Sequence, residues 1–86
     1  MNVVYISPNF PPSNAQFCMA LKAMGAKVLG LGDESYDTLR AELKAALAEY
    51  YRVDSLLDDD QVLRAMGYFT HRHGRIHRVE SHNEYW

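Results

Sequence analysis

Val3-Val4-Tyr5-Ile6 is a continuous, β-favouring apolar run with no polar residue interleaved. A strand with one wet face alternates apolar and polar residues. A strand that does not alternate is covered on both faces, as in the middle of a parallel sheet flanked by helices. The turn residues Ser7-Pro8-Asn9-Phe10-Pro11-Pro12 close this strand. Ser13 with Gln16 three positions later has the spacing of a capping box. Behind it Phe17, Ala20, Leu21 and Met24 recur at helical spacing, which predicts that they face inward, and Gly25 supplies the stop. Ala26 to Leu31 is a second apolar run, ended by Gly32-Asp33. The first third of the chain therefore reads as strand, loop, helix, strand.

The alternation continues. Asp37 is placed to cap a helix in which Leu39, Leu43 and Leu47 form one narrow apolar stripe. Tyr50-Tyr51-Arg52-Val53 reads as a short edge strand that buries one tyrosine ring and exposes the other. Asp58 and Gln61 repeat the capping spacing, Val62, Leu63, Met66 and Phe69 supply an inward face, and Gly74 ends the helix. Arg75 to Glu80, with Ile76 and Val79, completes a fourth strand. Four strands alternating with three helices predict an α/β domain of three layers. Its sheet is parallel, with strand order 3-2-1-4 and helices on both faces, half of a doubly wound Rossmann-like fold. The domain spans residues 1–86. Ser81-His82-Asn83-Glu84-Tyr85-Trp86 has the form of a loop entering a further helix, capped by Ser81 or Asn83, so the chain reads as part of a longer protein.

Composition narrows the partners. Nine Lys and Arg stand against eleven Asp and Glu, a formal charge of −2, which gives no electrostatic basis for binding nucleic acid or an anionic membrane. The single cysteine, Cys18, has no internal partner, and the apolar start is too short for a secretory signal; both point to a cytoplasmic protein. Cys18 falls in an apolar helical pattern, as do Met19, Met24 and Met66, and all four are expected as core or near-core fillers.

In an open parallel sheet, ligands bind beyond the carboxyl ends of the strands, where strand order reverses. That point lies between the first and fourth strands. Its lining would come from Ser7, Pro8, Asn9 and Phe10 on one side and from Glu80 to Glu84, including His82 and Asn83, on the other. The first loop holds three prolines and no glycine, the opposite of a phosphate cradle, because proline removes an N–H donor and fixes φ. Asp33 stands where a ribose-binding carboxylate would, but without those glycines it reads as a turn residue. A receiver-type signalling domain would need paired acids after the first strand, where this chain has Ser7-Pro8-Asn9. Asp58-Asp59-Asp60 instead suits a helix amino terminus. His71, His73, His77 and His82 are dense enough to raise a metal site. His71 and His73, two apart on a helix, point in different directions, and with Arg72 and Arg75 they suit the carboxyl-terminal end of a helix dipole.

Four segments, VVYISPNFPP (Val3 to Pro12), Val28-Leu29-Gly30-Leu31-Gly32-Asp33, Leu43-Lys44-Ala45-Ala46-Leu47 leading to Tyr50-Tyr51-Arg52-Val53, and ESHNEYW (Glu80 to Trp86), together resemble the start of a bacterial ATP-grasp protein of the biotin carboxylase-like and carbamoyl phosphate synthetase-like kind. The resemblance spans the whole chain, and ESHNEYW is its most specific part. It implies a pre-ATP-grasp domain that closes the substrate side of an active site. Later domains of the same protein would hold ATP and Mg²⁺, and the enzyme would activate a carboxylate and join it to an amine or another nucleophile. Biotin carboxylase has a Ser-Glu-Asn segment after its fourth strand, and Asn83 and Glu84 stand in a comparable place. The resemblance thus implies substrate-binding roles for Ser7, Asn9, Phe10, His82, Asn83 and Glu84, and no catalytic, cofactor or metal residue in this chain. The alternatives are a stand-alone α/β module that binds a small molecule or a protein, and a small metal-binding domain.

Overall fold

A computed structural model of the chain describes residues 1–9 and 12–81. Strands β1 (Asn2–Ile6), β2 (Lys27–Gly32), β3 (Glu49–Arg52) and β4 (Arg78–Glu80) alternate with helices α1 (Ser13–Ala23), α2 (Ala41–Ala46) and α3 (Asp59–His73). The sheet is parallel throughout and ordered β3-β2-β1-β4, as the alternation predicts. Val3, Val4 and Tyr5 are buried, so β1 is covered on both faces.

Neighbouring residues on a strand point to opposite faces, and the core divides accordingly. Val4, Leu29 and Leu31 pack with Val53, Leu56, Ala65 and Phe69, the last two from α3. Tyr5 and Val28 pack with Ala15 and Cys18 of α1 and with Leu39, Leu43 and Ala46 on and just before α2. Burying a side chain such as Leu29 or Val4 contributes about 1.5–3 kcal/mol.

Helix α1 turns a different face inward from the one its larger residues suggest. Asn14, Ala15 and Cys18 are buried, whereas Phe17 is 48% exposed, Met19 40% and Met24 76%. Small side chains let the helix approach the sheet closely. Asn14 is held there by donating from Nδ2 to the Ser7 carbonyl (2.9 Å) and accepting from the Tyr5 hydroxyl (3.3 Å). The expected Ser13 capping box is not formed either. Pro12, already helical at φ −55°, stands at the cap position, and no side chain caps this end. Asp37 likewise caps nothing; a 3₁₀ turn (Tyr36–Thr38) precedes α2, whose cap position is Arg40. Only half of the capping box of α3 forms: Asp58 accepts from the backbone N–H of Asp60 and Gln61, but the Gln61 amide donates to Asp58 Oδ2 at 2.9 Å and accepts from the Asp54 N–H, while the Asp58 N–H goes to the Ser55 carbonyl. Leu63, 68% exposed, lies off the inward face of that helix, and Ala65 lies on it.

The two glycines of β2 are part of the strand rather than its turn. Gly30 pairs with Tyr50, and the Tyr50 ring lies across both glycines. A Cβ on Gly32 would stand 2.6 Å from the Tyr50 oxygen, and one on Gly30 would stand 2.9 Å from Leu47 Cδ1. The hydroxyl donates to the Glu34 carbonyl at 2.7 Å. Burial, and then the negative charge of Asp33, push its pKa up to about 12. Tyr51 goes to the other face and meets Tyr68 and Phe69, so both tyrosines are half-buried.

At the amino edge of the sheet, Glu49 gathers three partners from the last turns of α3. His73 Nε2 is 2.6 Å and Arg72 Nε 3.1 Å from its Oε1, and the Tyr68 hydroxyl donates to its Oε2. Asn2 Nδ2 donates to the carbonyls of His73 and Arg75. Burial alone would raise the Glu49 pKa, but the bonds from Tyr68 and His73 and the charge of Arg72 outweigh it and hold the pKa below its ordinary value. Among the described residues, no helix is long and apolar enough to cross a membrane.

Two predictions follow from this packing. Gly32→Ala should destabilise the domain by about 1–3 kcal/mol, and Tyr50→Phe should recover part of that loss by removing the atom the new methyl meets. The same phenylalanine should not rescue Gly30→Ala, whose nearest obstacle is Leu47; urea unfolding of the single and double variants measures the difference. A carboxylate with a depressed folded pKa stabilises above its unfolded value, and that contribution is lost as pH falls through the folded one. Wild type should therefore exceed Glu49→Gln in stability at neutral pH, and the gap should close in acid below the ordinary carboxylate range, as thermal unfolding across pH would show.

Candidate substrate cleft

Parallel strands deliver their loops to one edge, and the carboxyl edge here carries a cleft of about 330 Å³ between the loops after β1 and β2. Asn9 and Pro12 form one wall and Glu34, Thr38 and Arg40 the other, over a floor of Leu39 and Leu43. Leu39 and Leu43 are buried, so the floor is apolar and the rim polar, the combination expected of a small-molecule site.

The loop after β1 is held in an expensive conformation. Ser7 has φ 57°, in the left-handed region that side chains other than glycine seldom adopt. Such a residue costs of order 1–3 kcal/mol and persists only where its surroundings fix it. Here the Ser7 N–H donates to the Leu31 carbonyl (2.7 Å), and its own carbonyl accepts from Asn14. Pro8 is buried behind it. Two residues on, Asn9 Oδ1 is buried with no hydrogen-bond partner, an omission that costs about 1–3 kcal/mol.

The opposite wall is bonded differently. Arg40 donates to the Pro12 carbonyl at 3.1 Å, which closes the end of the cleft, and its Nε lies 3.5 Å from Glu42 Oε1. The Thr38 hydroxyl donates to the Ser35 carbonyl at 2.7 Å. Glu34 uses its main-chain carbonyl for Tyr50, while its carboxylate makes no ion pair among the described residues.

Of the residues expected at a binding site, Ser7 and Asn9 lie on the carboxyl edge, Ser7 as the strained support and Asn9 on the cleft wall. Phe10, His82, Asn83 and Glu84 lie outside the described residues. On the β1–β4 side there is a smaller cavity of about 260 Å³ bordered by Tyr5, Phe17, Leu21, Arg78 and Glu80. Arg78 and Glu80 are ion-paired with each other there. Glu34 is marked in the sequence by its place in the turn after the second strand, whereas Thr38 and Arg40 carry no local signal.

Other hollows have less chemistry to offer. A groove of about 430 Å³ between α1 and α2 is lined by Met19, Lys22, Ala23, Glu42, Ala45 and Ala46, away from the carboxyl edge. Asp54 and Asp58 border another, of about 420 Å³. Asp54 is 3.1 Å from Arg52 and Asp58 caps α3, so both carboxylates already serve the fold. Cys18 is buried, and burial pushes its thiol up to about 12, leaving an inert core side chain. Among the described residues no group of His, Cys, Asp and Glu is placed to hold a metal ion. His73 and His77 instead bond to Glu49 and Asn2.

Comparison of the chain with protein-family models, with curated proteins and with solved structures found no match.

Proposed function

We propose that this chain is the substrate-side, pre-ATP-grasp lobe of an ATP-grasp ligase and does no catalysis alone. The observation that supports this most directly is the cleft at the carboxyl edge of a parallel 3-2-1-4 sheet, walled by a first crossover loop that cannot cradle phosphate. That loop ends β1 with Ser7-Pro8-Asn9 and enters α1 through Pro12, where a dinucleotide fold has glycines. Asn9 Oδ1 and the Glu34 carboxylate add acceptors at the same edge. Acceptors repel a phosphate, and in this reading later domains of the same protein hold ATP and Mg²⁺.

In such an enzyme ATP activates a carboxylate as an acyl phosphate, which an amine or other nucleophile then attacks. This chain's part is to bind and orient one of those small substrates. The positions proposed to bind it are Ser7, Asn9, Phe10, His82, Asn83 and Glu84, joined by Glu34 and Arg40 of the opposite wall. The cleft favours a second reading as well, a stand-alone small-molecule-binding module. Among the described residues, its lining comes from the segment between Asn9 and Leu43.

The coding sequence beyond Trp86 separates the two. For the lobe, it should continue into a glycine-rich lid and a set of Mg²⁺-binding acids, and the longer product should release ADP only when given both substrates. A stop codon directly after Trp86 would rule that reading out. Titration of ATP onto the 86-residue chain is expected to show no specific heat; micromolar binding by calorimetry would return the nucleotide to this chain.

A further inference from the structure

The polar groups around the cleft are unevenly satisfied, and the imbalance has a direction. Asn9 Oδ1 has no donor, and the Glu34 carboxylate has no ion-pair partner among the described residues. Both are acceptors. Arg40, on the same wall as Glu34, has bonds on two of its nitrogens, Nη2 to the Pro12 carbonyl and Nε near Glu42, and a guanidinium carries five N–H donors. Each wall thus carries an acceptor that asks for donors, Arg40 on the second has donors to spare, and between the walls lie the buried side chains of Leu39 and Leu43.

We infer that the cleft takes a small zwitterion of the α-amino-acid type, its ammonium held by Glu34 and Asn9 and its carboxylate by Arg40. This rests on the substrate-side reading above and supplies its substrate class. A volume of about 330 Å³ suits an amino acid. An ammonium carries three donors, enough for a carboxylate and a carboxamide together. The guanidinium fork matches a carboxylate in plane. The amino-acid side chain would rest on the leucine floor.

Asn9 is the movable part. Its Oδ1 is turned away from solvent and bonded to nothing in the free protein, so the unbound cleft carries an unmet acceptor. Rotation of the carboxamide toward an arriving ammonium satisfies it. The strained Ser7 fixes where the Pro8-Asn9 segment leaves the sheet, so this rotation needs no movement of the loop. The free protein is less stable than it would be without this amide, and the bound one regains the difference, a trade found where binding is selected over rigidity.

The test is a titration of the 86-residue chain with the standard amino acids, without nucleotide, followed by calorimetry and amide NMR. At least one should bind saturably and shift the amides of Asn9 and of residues 34 to 40. Its decarboxylated amine and its deaminated acid should each bind about tenfold or more weakly, the loss expected for one charge-assisted bond. Glu34→Gln and Arg40→Met should weaken binding by a similar factor, while Asp59→Asn, on the first turn of α3, should not. Asn9→Ala carries the distinguishing signature: a raised Tm in the free chain together with lower affinity. An asparagine that served only the fold would lower the Tm instead. The inference is overturned if no amino acid shifts these amides, if Glu34→Gln binds as wild type does, or if the amine alone binds equally well. Failure of ADP release in the longer product would remove the ligase reading and leave amino-acid binding standing. ADP release that depends on an acceptor of another class would do the reverse.

Discussion

Strand β1 has no side that water can reach. Val3, Val4 and Tyr5 are buried, so the backbone between them must find its hydrogen bonds in neighbouring strands, and it does so with β2 on one side and β4 on the other. Covering both faces then requires helices above and below, and joining parallel neighbours requires crossovers long enough to hold them. The carboxyl-edge loops, and so the cleft, follow from that one buried strand. Its first crossover pins Ser7, and its partner β2 ends beside the second wall of the cleft.

Close approach governs the α1 face of the sheet. Ala15 and Cys18 on the helix, and Gly30 and Gly32 on the strand, are small where the layers meet. The room left by the glycines is filled from the edge by Tyr50, whose hydroxyl reaches past the strand end to the Glu34 carbonyl. The ring therefore does two things: it fills a notch in the core and anchors the start of the loop that bears Glu34. Packing on one face of the sheet is in this way connected to the wall of the cleft.

The order of strands, their parallel sense and the edge position of β3 were legible because they depend on apolar runs and turn residues that this chain places distinctly. The capped start of α3 was legible in the spacing of Asp58 and Gln61. The inward face of α1 was not. Phe17 and Met24 are the larger hydrophobes, yet geometry favoured Ala15 and Cys18, and a polar residue, Asn14, was buried because Ser7 and Tyr5 lay in reach. Periodicity reports which residues recur, while distance between layers decides which side fits. Glycine misled in a related way: Gly32 looks like a strand terminator, but it is a socket for the Tyr50 ring contributed by the fold's third strand. At the candidate site, Asn9 and Glu34 could be found from their place in the loops after β1 and β2, whereas Arg40 became visible only once the chain after β2 folded back beside Pro12. His73 and Arg72, read as a cationic helix end, are committed to Glu49, a partner that no local pattern announces.

The Glu49 cluster and the cleft occupy opposite edges of the same parallel sheet. Side chains that bind α3 to the sheet are therefore none of those that would meet a ligand. Changes of specificity can accumulate at Glu34, Thr38 or Arg40 without loosening the far end, and the amino edge can be reinforced without reshaping the pocket. A chain arranged this way is free to vary along one edge over evolutionary time and keep the same skeleton.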